Sequence, residues 1–135
     1  MRTEDPPNTA IVVADNHETV LQAVSATLEK AGFTILSAST NGTAVRLTRD
    51  SRNPVNLAVI DTTTPGVNFA ELSRELERVN PGIRTLFLTE ESPEELLHSL
   101  PDAGFIRSIL RKPFRRAQLL GQVLEMMDRP LVLTA

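Results

Sequence analysis

The sequence predicts an α/β domain with a five-stranded parallel sheet and helices on both faces. Two observations predict it. Five short apolar runs rich in β-branched residues recur along the chain, and each is followed by a segment with helical spacing or helix-start chemistry. Strands alternating with helices in this way build right-handed βαβ units, which place all strands in one direction.

The first run, Ala10-Ile11-Val12-Val13-Ala14, is unbroken, as a strand buried on both faces requires. It stops at Asp15-Asn16-His17. Val20, Leu21, Val24 and Leu28 then recur at helical spacing, and Gly32 after Lys30 is a C-terminal stop signal. Phe33 to Ala38 reads as the second strand, and a helix with a weaker pattern follows from Asn41 to Arg49. Val55 to Ile60 is the third strand, ending at Asp61. Asn68 with Glu71 three residues later has the form of a capping box, opening a helix to Val79. Pro81-Gly82 marks a turn, and Ile83 to Leu88 is a fourth strand ending at Thr89. Ser92-Pro93-Glu94-Glu95 combines a cap, a first-turn proline and a closing glutamate. Phe105 to Leu110 is the fifth strand, ending at Arg111-Lys112-Pro113; Leu119, Leu120, Val123, Leu124 and Met127 line the last helix.

The 135 residues suit one domain, expected over 9–128, with 1–8 as a flexible lead-in and 129–135 as a C-terminal tail. A net charge of −3 argues against a nucleic-acid surface, although Arg111-Lys112 and Arg115-Arg116 form a local basic patch. There is no cysteine, hence no disulfide framework or thiolate metal site. The polar N-terminus lacks a signal peptide's apolar core, and no apolar run is long enough to span a bilayer. A cytoplasmic location, with no membrane insertion and no direct nucleic-acid contact, is the expectation.

In open parallel sheets, ligands bind beyond the carboxyl ends of the strands, where the strand order switches. Asp15 and Asn16, Asp61, Thr89 and Lys112 each follow one strand, so all should meet on one edge. Taken singly, Asp15 or Asn16 reads as a helix cap, Asp61 as a turn residue, Lys112 as a solvated lysine and Thr89 as a strand end. Those separate readings leave the shared edge unexplained. His17 and His98 lack metal-ligand spacing, and a surface or packing role is expected for both.

These residues resemble a known family. Val13-Ala14-Asp15-Asn16-His17, then Leu57-Ala58-Val59-Ile60-Asp61 with Pro65-Gly66, then Leu86-Phe87-Leu88-Thr89, and finally Lys112-Pro113-Phe114 are similar to the signatures of response-regulator receiver domains. The resemblance spans residues 10–127 and implies a flavodoxin-like doubly wound sheet in the order 2-1-3-4-5. It implies that Asp61 is the phosphoacceptor, phosphorylated by a sensor histidine kinase, a phosphotransfer protein or a small phosphodonor. It further implies a Mg²⁺ held by Asp15, Asn16, Asp61 and the backbone carbonyl of Thr63. Lys112 would pair with the acceptor, and the Thr89 hydroxyl would turn to the phosphoryl group. Such a domain is a signalling switch rather than an enzyme, limited to its own phosphorylation and dephosphorylation. The face of the fourth helix, fifth strand and fifth helix would change with it, and receivers often pair through that face as a homodimer; a downstream protein target is the further partner implied.

The chemistry needs these groups. A carboxylate attacking phosphorus forms an acyl phosphate. Two anions must approach, so a divalent cation with oxygen ligands and a mobile lysine charge are required. Four positions depart from the family. Asn16 replaces a second acid, which leaves an oxygen ligand but removes a charge. Glu90 stands where a small residue is common, Ile109 where a switching aromatic is common, and Thr62-Thr63-Thr64 replaces the usual apolar residue before Pro65.

The alternative function is a degenerate receiver, a phosphorylation-independent binding module. An aspartyl phosphatase of the haloacid-dehalogenase type would carry an acid two residues after the nucleophile, where Thr63 stands. A nucleotide or flavin site lacks a glycine-rich loop after the first strand. Nothing resembling an output domain follows Met127, which suits a stand-alone receiver or a piece of a larger regulator or hybrid kinase equally.

Overall fold

The computed structural model describes residues 9–64, 67–100 and 107–132, with side chains through residue 127. The elements run in chain order as β1 (Ala10–Ala14), α1 (Glu18–Lys30), β2 (Thr34–Ala38), α2 (Asn41–Asp50), β3 (Val55–Asp61), α3 (Phe69–Val79), β4 (Arg84–Thr89), α4 (Pro93–Ser99), β5 (Arg107–Arg111) and α5 (Arg116–Val132). All strand pairs are parallel, in the order β2-β1-β3-β4-β5. The start of the fifth strand expected at Phe105, the lead-in 1–8 and the turn Pro65-Gly66 lie outside the described residues. The last helix continues to Val132, into the segment expected to form a tail. Among the described residues no helix is long and apolar enough to cross a membrane.

The unbroken apolar runs are explained by burial on both sides. Every residue of β1 is buried, and in β3 Asn56 alone is exposed. Alternation sorts these side chains into two layers. Ile11, Val13, Leu57, Val59, Leu86 and Leu88 pack with Val24 and Leu28 of α1 and Leu119 and Val123 of α5. Ala10, Val12, Ala14, Ala58, Ile60 and Phe87 face Ala44 of α2, Leu72 and Leu76 of α3 and Leu96 of α4. Strand order grows one way from β1 to β2 and the other way from β3 onward, and right-handed crossovers put α1 and α2 on opposite faces.

Helix ends follow local chemistry. Gly32, at φ 101°, closes α1: its N–H donates to Glu29 O (2.9 Å) and the Phe33 N–H to Leu28 O (3.2 Å). That pair is a Schellman motif, with Phe33 and Leu28 in one apolar cluster. Thr40 caps α2 by accepting from the Thr43 N–H, and Ser92 with Glu95 forms the reciprocal box of α4. The box expected at α3 is half formed. Asn68 accepts from the Glu71 N–H (3.0 Å), but the Asn68 N–H donates to Asn41 Oδ1 (3.1 Å) and its carbonyl accepts from Asn41 Nδ2 (3.2 Å). A side chain from the neighbouring helix thus takes the donor that Glu71 was expected to satisfy.

Candidate functional site

Sheet register brings the strand ends together. Ala14 pairs with Ala38 and Ile60, Asp61 with Leu88, and Thr89 with Arg111. Backbone hydrogen bonds just beyond the strands extend this edge: Asp15 N to Ala38 O (2.9 Å), Thr62 N to Leu88 O (2.9 Å) and Lys112 N to Thr89 O (2.7 Å). Asp15, Asp61, Thr89 and Lys112 therefore stand side by side at one edge, as the strand-end rule predicts.

Asp61 is fully buried, and both of its oxygens are engaged. Oδ1 accepts from the Thr63 N–H (2.8 Å) and the Thr63 hydroxyl (2.8 Å), while Oδ2 accepts from Lys112 Nζ (2.6 Å). Lys112 Nζ also reaches Thr63 Oγ1 at 3.4 Å. Burial pushes the Asp61 carboxyl up, but the Lys112 ammonium and the two Thr63 donors outweigh it and hold the group below the usual carboxylate range. At neutral pH the Asp61 carboxyl is ionised, the form a nucleophile needs.

Asp15 is 1% exposed and less well served. Its Oδ1 accepts from the His17 N–H (2.8 Å) and the Thr64 hydroxyl (2.9 Å), but its Oδ2 is buried without a hydrogen-bond partner among the described residues. Burial pushes this carboxyl up and the adjacent Asp61 pushes it further, against the His17 and Thr64 donors. A buried carboxylate oxygen with no donor beside a second carboxylate is an electrostatic strain that either a proton or a cation relieves. The carboxylates of Asp15 and Asp61 are oxygen ligands of the kind Mg²⁺ prefers, and His17 is grouped with them.

The remaining predicted residues behave unequally. Asn16 is exposed beside Asp15, and Thr63 is exposed with its amide and hydroxyl spent on Asp61. Thr89 is fully buried, and its Oγ1 accepts from the Glu91 N–H (3.0 Å), within the turn into α4. Glu90 is exposed, with its backbone carbonyl accepting from Arg111 Nε (3.4 Å). Ile109 packs partly buried against the apolar layer under α4.

Two residues of the site were not predicted. His17, expected in a surface or packing role, places Nδ1 3.2 Å from Asp15 Oδ1 and 3.9 Å from Asp61 Oδ2. Its spacing from Asp15 is too short to read as a ligand pattern, and Asp61 is distant in the chain. Thr64 occupies the position noted as unusually polar, and that polarity was the available signal. The threonine is buried and binds Asp15.

Comparison with known proteins agrees with the geometry. The response regulator receiver domain family matches residues 11–124. Similar curated proteins include the sensor kinase CckA of Brucella abortus (strain 2308), 29% identical over 122 residues, which are 90% of this chain and 13% of that protein. The probable transcriptional regulatory protein TcrX of Mycobacterium tuberculosis (strain ATCC 25618 / H37Rv) is 25% identical over 135 residues, 99% of this chain and 56% of that one. The chain thus spans about an eighth of the first relative's length and just over half of the second's. Among solved structures, a response regulator receiver protein from Sinorhizobium medicae WSM419 superposes with a TM-score of 0.75 at 23% identity, covering 90% of this chain and 96% of that one.

Proposed function

The chain belongs to the response regulator receiver domain family, and from that premise we propose that it is a phosphoacceptor switch of a two-component phosphorelay, with Asp61 as the acceptor. The family is a signalling module, not an enzyme of the ordinary kind. The observation that carries the proposal is the 2.6 Å contact from Lys112 Nζ to Asp61 Oδ2, made across a buried site whose second carboxylate has an oxygen unpaired among the described residues.

The donor would be the phosphohistidine of a sensor histidine kinase or of a phosphotransfer protein. An Asp61 oxygen attacks phosphorus, the new O–P bond forms, and the P–N bond to the donor imidazole breaks with its electron pair returning to that ring. Asp15, Asp61, the Asn16 amide oxygen and the Thr63 carbonyl would hold Mg²⁺, whose charge would neutralise the phosphoryl oxygens during transfer. Lys112 exchanges its contact with Asp61 for one with the phosphoryl group. The Thr89 hydroxyl leaves the Glu91 N–H and turns toward the new anion, and the turn into α4 moves with it.

The downstream target, and a homodimer, would use the face of α4, β5 and α5. Among the described residues those helices carry two large exposed apolar side chains, Leu97 and Leu124. A cytoplasmic location belongs to the same reading. The exposed side of Glu90 argues against its crowding the acceptor, so Asn16 and Ile109 remain the features favouring a phosphorylation-independent module.

Incubation with acetyl phosphate and Mg²⁺, followed by intact-mass measurement, tests the proposal. One added phosphoryl group is expected on the wild type and none on Asp61→Asn. Equal labelling of both proteins, or no labelling together with no beryllofluoride binding, overturns it in favour of the binding module.

A further inference from the structure

His17 holds the N-cap of α1, a position that favours a short oxygen side chain, yet it makes no side-chain capping bond. Its ring turns to the carboxylates instead. One ligand atom from each of Asp15, His17 and Asp61 lies within 4.8 Å of the other two. Donors about 2.1 Å from a shared cation stand about 3.0 Å apart at an octahedral right angle and about 3.4 Å apart in a tetrahedron. The 3.2 Å from His17 Nδ1 to Asp15 Oδ1 falls between these values, and the 3.9 Å to Asp61 Oδ2 is slightly longer. The shorter spacing is to Asp15 Oδ1; the other oxygen of the same carboxylate, Oδ2, is buried and has no hydrogen-bond partner among the described residues, a charge that a cation would satisfy. The His17 side chain is 46% exposed, so its ring spans from solvent to the two buried acids.

We propose that His17 is a nitrogen ligand of this cation site, making it a mixed nitrogen–oxygen centre that favours a first-row transition cation over Mg²⁺. Imidazole suits zinc-, nickel- and iron-type cations, whereas Mg²⁺ is matched by carboxylate, carbonyl and water. Asn16 acts in the same direction, since an amide offers a hard cation less than a carboxylate would. The proposal rests on the reading of the edge as a cation site. The same 3.2 Å contact also suits an Nδ1–H hydrogen bond to Asp15, and the test separates the two.

Metal-free protein is titrated calorimetrically with Co²⁺ and, separately, with Mg²⁺, as wild type and as His17→Ser. Serine is a favoured N-cap, so α1 keeps its start. Loss of the imidazole should weaken Co²⁺ about tenfold or more, the scale on which even supporting residues act, and leave Mg²⁺ nearly unchanged. Proton spectra of the Co²⁺-loaded wild type should show paramagnetically shifted imidazole resonances that vanish in His17→Ser. His98, the other of the two histidines, lies on α4 and serves as the internal control. Mg²⁺ binding with no shifted imidazole, or equal loss of both cations in the variant, overturns the His17 assignment while leaving the cation site standing. Failure of the wild type to bind either cation overturns both.

Discussion

The Thr64 hydroxyl donates a 2.9 Å hydrogen bond to Asp15 Oδ1, joining the segment after β3 to the end of β1 across 49 residues of sequence. Both side chains are buried, Thr64 at 3% and Asp15 at 1% exposure. Replacing the hydroxyl by a methyl leaves the shape and removes a donor from a carboxylate whose other oxygen has none among the described residues. Thr64→Val should cost about 1–3 kcal/mol in urea denaturation. An unchanged midpoint would show that Asp15 finds another donor.

Lys112 neutralises a wholly buried charge. The lysine side chain is 16% exposed and Asp61 is 0% exposed, so truncating the cation strands an anion away from water. Lys112→Met should destabilise the metal-free protein by about 3–5 kcal/mol. Combining it with Asp61→Asn should restore most of that loss, because the stranded charge is gone. Additive losses in the double-mutant cycle would deny the coupling.

Acid should act on the two aspartates with opposite sign. Asp61, held low, contributes stability that is present above the unfolded carboxylate pKa of about 3.9 and lost as pH falls through its folded value. Asp15, held high, binds its proton more readily when folded. Its contribution is present below about 3.9 and lost as pH rises through its folded value. Asp15→Asn should therefore stabilise the metal-free protein at neutral pH, by about 1.4 kcal/mol for each unit of the elevation it removes. Denaturation curves taken between about pH 3 and 8 measure this. A variant no more stable than wild type at neutral pH would contradict the assignment.

A divalent cation should stabilise the fold by binding where the unpaired oxygen lies. Mg²⁺ at about 100 times its dissociation constant adds about 2.7 kcal/mol, visible as a raised melting temperature. Asn16→Asp restores the absent charge and should tighten Mg²⁺ about tenfold in calorimetry, as affinity follows ligand charge. Unchanged affinity would remove Asn16 from the ligand set.

Much of the candidate site is legible in the sequence. Asp15, Asp61, Thr89 and Lys112 are marked by their place at the ends of apolar runs, and a parallel sheet leaves such residues little choice but to meet. Ser92 and Glu95 announce α4 because both halves of a capping box lie within one turn. The same spacing at Asn68 and Glu71 misled by half, because Asn41 of a different helix competes for the Asn68 N–H.

By itself the sequence determined the strand order's ingredients, the two apolar layers and the edge at which Asp15, Asp61, Thr89 and Lys112 meet, because periodicity and strand-end polarity are properties of neighbours along the chain. Tertiary structure decided which atoms engage. It gave Asp61 both Thr63 donors and Lys112, left Asp15 Oδ2 without a donor among the described residues, brought His17 to the acids, and turned Thr89 to Glu91. Hydrogen bonds are lost over fractions of an ångström and depend on side-chain rotamers and on segments dozens of residues apart. A buried oxygen is known to lack a partner only when everything around it is in place.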